Sequence, residues 1–421
     1  MEYKEAVDAL KEMVRLGSNV QLISDYIILA AVLCWTSDIH IEPLSSFVRI
    51  RYRQDGELKE ILEYQLYLHQ SIVARFKILG DLKIDESRVP QDGRISKTIE
   101  EKPLDLRIST LPTVNGEKIV MRIVDKSKKI PKLESLWIEG RNGDLVRKAI
   151  TLPNGIILTS GPTWSWKSTT LYSALNILNK PNVNIMTLED PVENQVDGLN
   201  QSQMRPQIGY TFAAWLRTAL RQDPDIIMVW EIRDHETIEI AIEASLTWHL
   251  VLSTIHTNSA AETLTRVIQM GIQPFLIPAS FNTVIAQRLI RRLCTCKKEI
   301  WLHEIDKETL ADIQNAIKNT DKKELSWRVS QDILKAPKFY APVWCEKCEG
   351  SWYKWRVGLY EVLDITDGVK AMILASESAF NINKQAIKDG MISLEQDGII
   401  KALNGLTSLA EVYSVAKTQN W

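Results

Sequence analysis

Gly155-Ile-Ile-Leu-Thr-Ser-Gly161-Pro-Thr-Trp164-Ser-Trp166-Lys167-Ser168-Thr169-Thr170 places an apolar run, Ile156 to Leu158, ahead of a polar turn and a Lys-Ser-Thr-Thr helix start. Strand, loop, Lys-Ser/Thr and helix, in that order, make a phosphate-binding P-loop. Successive backbone N–H groups and the positive helix end then face one concavity, which suits the β- and γ-phosphates of a nucleotide. The expected binding segment is Gly161, Pro162, Thr163, Trp164, Ser165, Trp166, Lys167, Ser168 and Thr169. Lys167 would neutralise these phosphates, and the Ser168 hydroxyl would hold Mg²⁺.

The motif departs from G-x-x-x-x-G-K-[ST]. Gly161 is present, but Trp166 stands where the second glycine belongs, and Trp164 where such loops often carry another. Glycine is used there because the loop visits positive φ and the phosphate lies against bare backbone. A bulky residue forced to positive φ costs about 1–3 kcal/mol. The loop alone therefore leaves two alternatives, a nucleotide site or a chain that folds around a broken one.

The 421 residues are enough for two or three domains with cores of their own. Composition is that of an ordinary globular protein, and a net charge of −2 gives no global reason to expect nucleic acid. No apolar run reaches the roughly 18–20 residues of a membrane span, and Met1-Glu-Tyr-Lys-Glu lacks the basic start of a signal peptide. A cytoplasmic α/β protein is expected. Tryptophans outnumber phenylalanines, 13 to 7, and many sit in polar turn contexts.

Helical spacing fills residues 1–30. Residues 31–125 read as a small α/β domain, with strands near Ile39, Val48–Tyr52 and Leu58–Leu62, a helix over Tyr67–Leu79, and a turn carrying Arg88 and Arg94. The basic run 126–132 reads as a linker. Residues 133–293 then alternate strands and helices around the P-loop. Ala260–Met270 and Ile277–Leu293 are expected as helices, and the tail from Leu359 to Trp421 as mostly helical.

Two acids end buried strands. Glu231 follows the aliphatic run Ile226–Val229 and could orient an attacking water or hold Mg²⁺ through water. Glu189 ends Asn184–Leu188 on the side of the sheet where open α/β folds bind ligands. His249 and His256 bracket another apolar strand, and each is either a satisfied structural histidine or a site residue. Cys294-Thr-Cys296 and Cys345-Glu-Lys-Cys348 form two close pairs, as a tetrahedral Zn²⁺ site needs, within an insertion spanning 294–348.

Taken together, these segments resemble the secretion ATPase superfamily that powers type II secretion and type IV pilus assembly. Ser37-Asp-Ile-His-Ile-Glu-Pro43, Pro90-Gln-Asp-Gly-Arg94 and Arg107-Ile-Ser-Thr-Leu-Pro-Thr113 resemble its N-terminal domain. Leu188-Glu-Asp-Pro-Val-Glu193 resembles its Asp box, Leu216–Val229 with Glu231-Ile-Arg-Asp234 its Walker B region, and His249–Asn258 its His box. Ala286-Gln-Arg-Leu-Ile-Arg-Arg-Leu-Cys294 fits the same family. The resemblance implies a small PAS-like α/β N-terminal domain, a RecA-like ATPase core, a Cys₄ insertion and a helical C-terminal region over 349–421. It implies that His256 senses the γ-phosphate. It also implies that Arg94, Arg107, Arg217 and Arg221 reach a nucleotide at a domain or subunit boundary. A homo-hexameric ring follows, cytoplasmic and peripheral to the inner membrane, acting on a membrane platform protein with no direct nucleic-acid role. The alternative is a non-catalytic scaffold subunit of the same assembly. The family pattern would also place glycine at Trp35, Trp164, Trp166, Trp215, Trp230, Trp248, Trp344, Trp352 and Trp355.

Overall fold

Alternation decides the first sheet. In Phe47–Gln54, Val48, Ile50 and Tyr52 turn inward while the residues between them stay partly exposed, a period of two with one face on a core. The computed structural model describes residues 3–17, 19–54, 56–99, 102–125, 130–163, 165–205, 208–345, 348 and 352–416. Its chain divides into two compact units, Met1–Lys129 and Ile130–Trp421. Residues 126–129 of the expected linker, and Trp164, lie outside the described residues.

The first unit is a six-stranded antiparallel sheet. Its strands are β1 (Asp38–Pro43), β2 (Phe47–Gln54), β3 (Glu57–Gln65), β4 (Gln91–Ile99), β5 (Lys102–Thr113) and β6 (Gly116–Asp125), ordered β3-β2-β1-β6-β5-β4. Helices α1 (Tyr3–Arg15), α2 (Val20–Leu33) and α3 (His69–Leu79) contribute to the same core, where Leu10, Ile23, Ile27 and Phe76 join Ile39, Ile50 and Ile108. The helical segment at 1–30 therefore shares its core with the sheet. Arg94, expected in a turn, lies instead within β4, and its register partner is Arg107 of β5.

The second unit is built on a seven-stranded sheet. β7 (Gly155–Ser160), β8 (Ile185–Glu189), β9 (Asn200–Gln203), β10 (Ile226–Val229), β11 (Leu250–Ile255) and β12 (Phe281–Leu293) are parallel. β13 (Lys298–Trp301) and β14 (Lys338–Ala341) pair separately as a two-stranded ribbon, and β15 (Tyr353–Asp364) closes one edge of the large sheet antiparallel to β12. The order is β15-β12-β7-β11-β10-β8-β9. Both faces are buried, which parallel strands require. In β7, Ile156 and Leu158 enter one core and Ile157 the other; β10 divides its four residues in the same way. Helices α4 (Gly140–Ile150), α5 (Lys167–Leu178), α6 (Phe212–Ala219), α7 (His235–Leu246), α8 (Ala260–Gln269) and α9 (Leu276–Ser280) belong to this RecA-like α/β core.

One helical expectation is overturned. Ile277–Leu293 is not one helix: α9 ends at Ser280 and β12 begins at Phe281. An apolar run buried on both faces carries no alternation to separate strand from helix. The β-branched Thr283-Val284-Ile285 and the open edge of β7 decide for strand. The tail is mostly helical as expected, from Asp367 to Ala416, although its first residues, Leu359–Asp364, complete β15. Among the described residues no helix is long and apolar enough to cross a membrane.

Candidate functional site

Four parallel strands deliver their next residues to one edge of the sheet. α5 opens at Lys167 after β7, Glu189 ends β8, Glu231 lies two residues past β10, and His256 follows β11 directly. This is the carboxyl edge, where open α/β sheets place ligands.

The loop before α5 is tightly held. Gly161 has φ of 146°, and a Cβ there would lie 2.5 Å from the Gln287 carbonyl oxygen and 2.7 Å from Ser165 Oγ. No side chain fits. Gln287, fully buried on β12, donates from Nε2 to the Ser165 carbonyl and accepts from Thr170 Oγ1 at 2.9 Å. It thus ties the loop to the first turn of α5. Ser165 Oγ donates to the Pro162 carbonyl at 2.8 Å. Ser168 and Thr169 lie half-buried in that first turn.

Lys167, His256 and Glu231 come together. Lys167 Nζ donates to the carbonyls of Gly161 (2.6 Å) and Pro162 (3.2 Å) and lies 3.4 Å from His256 Nδ1. His256 Nε2 is 3.2 Å from Glu231 Oε1, and Arg233 Nη2 donates to Glu231 Oε2 at 2.6 Å. With the lysine donating to Nδ1, the neutral imidazole carries its proton on Nε2 and donates it to Glu231. Burial first, and then the charge of Arg288 against the attraction of Glu231, holds Lys167 down to about 8. Burial, then the Lys167 charge, pushes His256 below the usual imidazole value.

Glu189 shares this edge, and the other expected residues make contacts of their own. Glu189 is fully buried and held by three donors: Oε1 accepts from Thr187 Oγ1 (2.7 Å) and Gln201 Nε2 (3.0 Å), and Oε2 from the Tyr172 hydroxyl. Arg217 pairs with Glu236 at 2.6 Å, and Arg221 donates to the Arg217 carbonyl at 3.1 Å, both on the exposed face of the α6 region. His249 sits at the opposite end of β11, with Nδ1 2.9 Å from the Ala244 carbonyl. In the first unit Arg94 pairs with Asp105, on the strand that carries Arg107. Sequence reasoning missed Arg233, Gln287 and Arg288, although the first lies inside Glu231-Ile-Arg-Asp234 and the other two inside Ala286–Cys294.

Several tryptophans adopt a glycine conformation. Trp35, Trp137, Trp166, Trp248, Trp352 and Trp355 have φ between 57° and 74°. Trp215 and Trp230 do not; Trp215 is buried in the main core with Phe212 and Leu216. The Trp166 indole packs half-buried against the core that holds Leu171 and Leu175.

The cysteines converge as well. The four sulfurs of Cys294, Cys296, Cys345 and Cys348 lie within 4.8 Å of one another, with Cys294–Cys345 at 3.8 Å, Cys296–Cys348 at 3.9 Å and Cys345–Cys348 at 3.5 Å. A tetrahedron of sulfurs about 2.3 Å from a central Zn²⁺ has edges of about 3.8 Å. The donor set and its dimensions therefore fit zinc.

Comparison with known proteins agrees with this architecture. The model of the family described as Type II/IV secretion system protein matches residues 13–414. The chain is 45% identical over 392 residues to the type IV pilus assembly ATPase PilB of Pseudomonas aeruginosa, covering 93% of this chain and 66% of the relative. It is 45% identical over 381 residues to the type II secretion system ATPase E of Vibrio cholerae, covering 90% and 72%. The chain thus spans about two thirds of the length of these curated relatives. Among solved structures, the ATPase DotB of Legionella pneumophila superposes with a TM-score of 0.65 at 21% identity, covering 93% of this chain and 94% of that one. The pilus retraction motor PilT with bound ADP superposes with a TM-score of 0.60 at 21% identity, covering 93% and 96%. With a family model matched over nearly its whole length, this chain belongs to the type II/IV secretion system protein family.

Proposed function

We propose that the chain is a ring-forming ATPase subunit that hydrolyses ATP at the carboxyl edge of its parallel sheet to power type IV pilus assembly or type II secretion. The observation that carries this is the Lys167–His256–Glu231 chain of contacts beside the Gly161 loop. Phosphoryl transfer needs positive charge on the γ-phosphate and an oriented water. Lys167 supplies the charge, and a triphosphate would replace the two carbonyls it now contacts. Glu231 orients the water. His256 holds that carboxylate and can feel the γ-phosphate through the lysine. Mg²⁺ would supply charge neutralisation between the β- and γ-phosphates, with Ser168 as its hydroxyl ligand. Glu189, held by three partners, acts as a positioning residue for the loop after β8.

Arg94, Arg107, Arg217 and Arg221 are assigned to the charge supplied from a neighbouring subunit or domain, which makes a homo-hexamer the working assembly. The Cys₄ cluster is a structural zinc site in the insertion 294–348. An inner-membrane platform protein is the proposed partner, with the ring cytoplasmic and peripheral to that membrane. The scaffold alternative rests on the tryptophans of the loop. The formed clamp of Gly161, Gln287 and Thr170 favours the catalytic reading. The test is steady-state ATP hydrolysis by the chain and by Lys167→Ala and Glu231→Gln. Each substitution is expected to lower turnover about 100-fold or more. Equal turnover in all three would sink the proposal.

A further inference from the structure

Among the described residues six tryptophans are left-handed, and they occupy positions built for glycine. Trp35 is the residue after the C-cap of α2: its N–H donates to the Val32 carbonyl, and that of Thr36 to Ala31. Together these bonds form a Schellman motif, whose left-handed residue is ordinarily glycine. Trp248 holds the same place after α7, with the His249 N–H on the Ala244 carbonyl. Trp355 lies where β15 carries three steps, Tyr353 to Arg356, against two on β12, Leu293 to Arg291, which is a β-bulge with a left-handed residue. Trp166 is the last loop residue before the P-loop helix. Trp137 ends the short 3₁₀ turn Leu133–Leu136, and Trp352 lies just before β15.

Aromatic rings do not choose this conformation. None of the 7 phenylalanines or 11 tyrosines has positive φ, and the other non-glycine residues that do, among the described ones, are Asp81, Asp223 and Ser376. Nor does burial offset the strain. Trp35, Trp248 and Trp355 are 67%, 75% and 61% exposed. Neutral drift at glycine sites would leave a mixture of small and polar residues, whereas one residue type recurs at turn, bulge and P-loop alike.

We infer that the polypeptide made in the source cell carries glycine at positions 35, 137, 166, 248, 352 and 355, because the codon read there as tryptophan is decoded as glycine. The inference stands apart from the ATPase proposal, since five of the six sites lie outside the P-loop. It also deepens that proposal, for glycine at 166 completes G-x-x-x-x-G-K-S.

Two measurements test it. Peptide mass spectrometry of the protein isolated from its source should give the glycine mass at each of the six positions; tryptophan at Trp166 and Trp248 would overturn the inference. In recombinant protein, Trp35→Gly and Trp248→Gly should each raise the melting temperature, by roughly 2–4 °C. Trp327→Gly, within the helix Lys322–Arg328, should lower it. If the first two variants melt below the parent as Trp327→Gly does, the sites do not prefer glycine and the inference fails. Neither readout depends on ATP turnover, so loss of the ATPase reading would leave this one intact.

Discussion

His256 Nε2 stands 3.2 Å from Glu231 Oε1 while its other ring nitrogen faces Lys167, so one imidazole links the lysine at the start of α5 to the acid. The link is directional. A lysine that donates to Nδ1 fixes the imidazole proton on Nε2, and that proton points at the carboxylate. On the proposed function, phosphates would draw Lys167 away, the imidazole would lose its donor, and Glu231 would be affected without being touched. Nucleotide occupancy and the orientation of the acid would then be coupled through a single ring.

The first prediction follows from this linkage. Glu231→Gln should abolish turnover while nucleotide affinity changes little, because the amide keeps shape but cannot polarise water. His256→Ala should lower kcat by a smaller factor, on the order of 10–100. Isothermal titration beside steady-state turnover separates the two effects. A large loss of affinity in Glu231→Gln would contradict this assignment.

Lys167 sets a pH dependence. Burial lowers its folded value to about 8 from an ordinary 10.5. Between these values the unfolded chain binds more protons, so this lysine opposes folding most below pH 8, and that opposition fades as pH rises to 10.5. Phosphate oxygens favour the charged form, so nucleotide binding should take up a proton above pH 8 and none at pH 6.5. Calorimetry at pH 9 in buffers of differing ionisation enthalpy reads the uptake directly. A buffer-independent heat at pH 9 would refute it.

Gln287 gives a test of the clamp. Its buried amide satisfies the Ser165 carbonyl and the Thr170 hydroxyl at once. Gln287→Leu leaves both without this partner, at about 1–3 kcal/mol each where water cannot enter. The loop should loosen, weakening nucleotide affinity at least tenfold, and the melting temperature should fall with it. Fluorescence titration with an ATP analogue measures it, and unchanged affinity would mean that the loop holds its shape without the clamp.

How much of this was legible in the sequence depends on the physics of each element. The P-loop strand was readable from its apolar run and the Lys-Ser-Thr-Thr start after it, whereas Glu231 and His256, each open to a purely structural reading alone, were singled out by their place in the ordered set of segments that resembles the family. The β12 strand was not, since a run buried on both faces loses the alternation that marks a strand. Gln287 escaped notice for a related reason: a neutral amide in an apolar stretch announces nothing until its partners, more than a hundred residues away, are in place. Glu189 was legible as a strand-end acid, but its anchoring by Tyr172, Thr187 and Gln201 is a property of the packed site alone. The tryptophans were visible as an anomaly of composition. Only the backbone separates Trp166 and Trp248, left-handed, from Trp215, an ordinary core residue.

The four cysteines support a metal test. Cys348→Ser should remove one Zn²⁺ per chain, read by atomic absorption, and loosen the β13–β14 ribbon region first. Lys167, His256 and Glu231 arise from the large sheet, so nucleotide affinity should survive. Zinc content equal to that of the parent would rule out the Cys₄ assignment.

A second anchor of the insertion lies in a buried charge cluster. Asp397, on the helix Leu394–Leu403, accepts from Arg328 Nη2 at 2.6 Å and Lys401 Nζ at 2.7 Å, and all three side chains are essentially excluded from solvent. Arg328 comes from the insertion, whereas Lys401 also donates to the Gly358 carbonyl of β15 at 2.6 Å. Burial by itself would raise the Asp397 carboxyl, but the two cations outweigh it and hold it below the ordinary aspartate value. Its contribution is thus present above the unfolded value near 3.8 and is lost as pH falls through the folded one. Asp397→Asn strands two buried cations against a neutral amide and should cost about 3–5 kcal/mol in denaturant unfolding at pH 7. Because the parent loses the same interaction in acid, the gap between the two proteins should narrow as pH drops below 3.8. A gap that stays constant into that range would show that the loss comes from packing and not from charge.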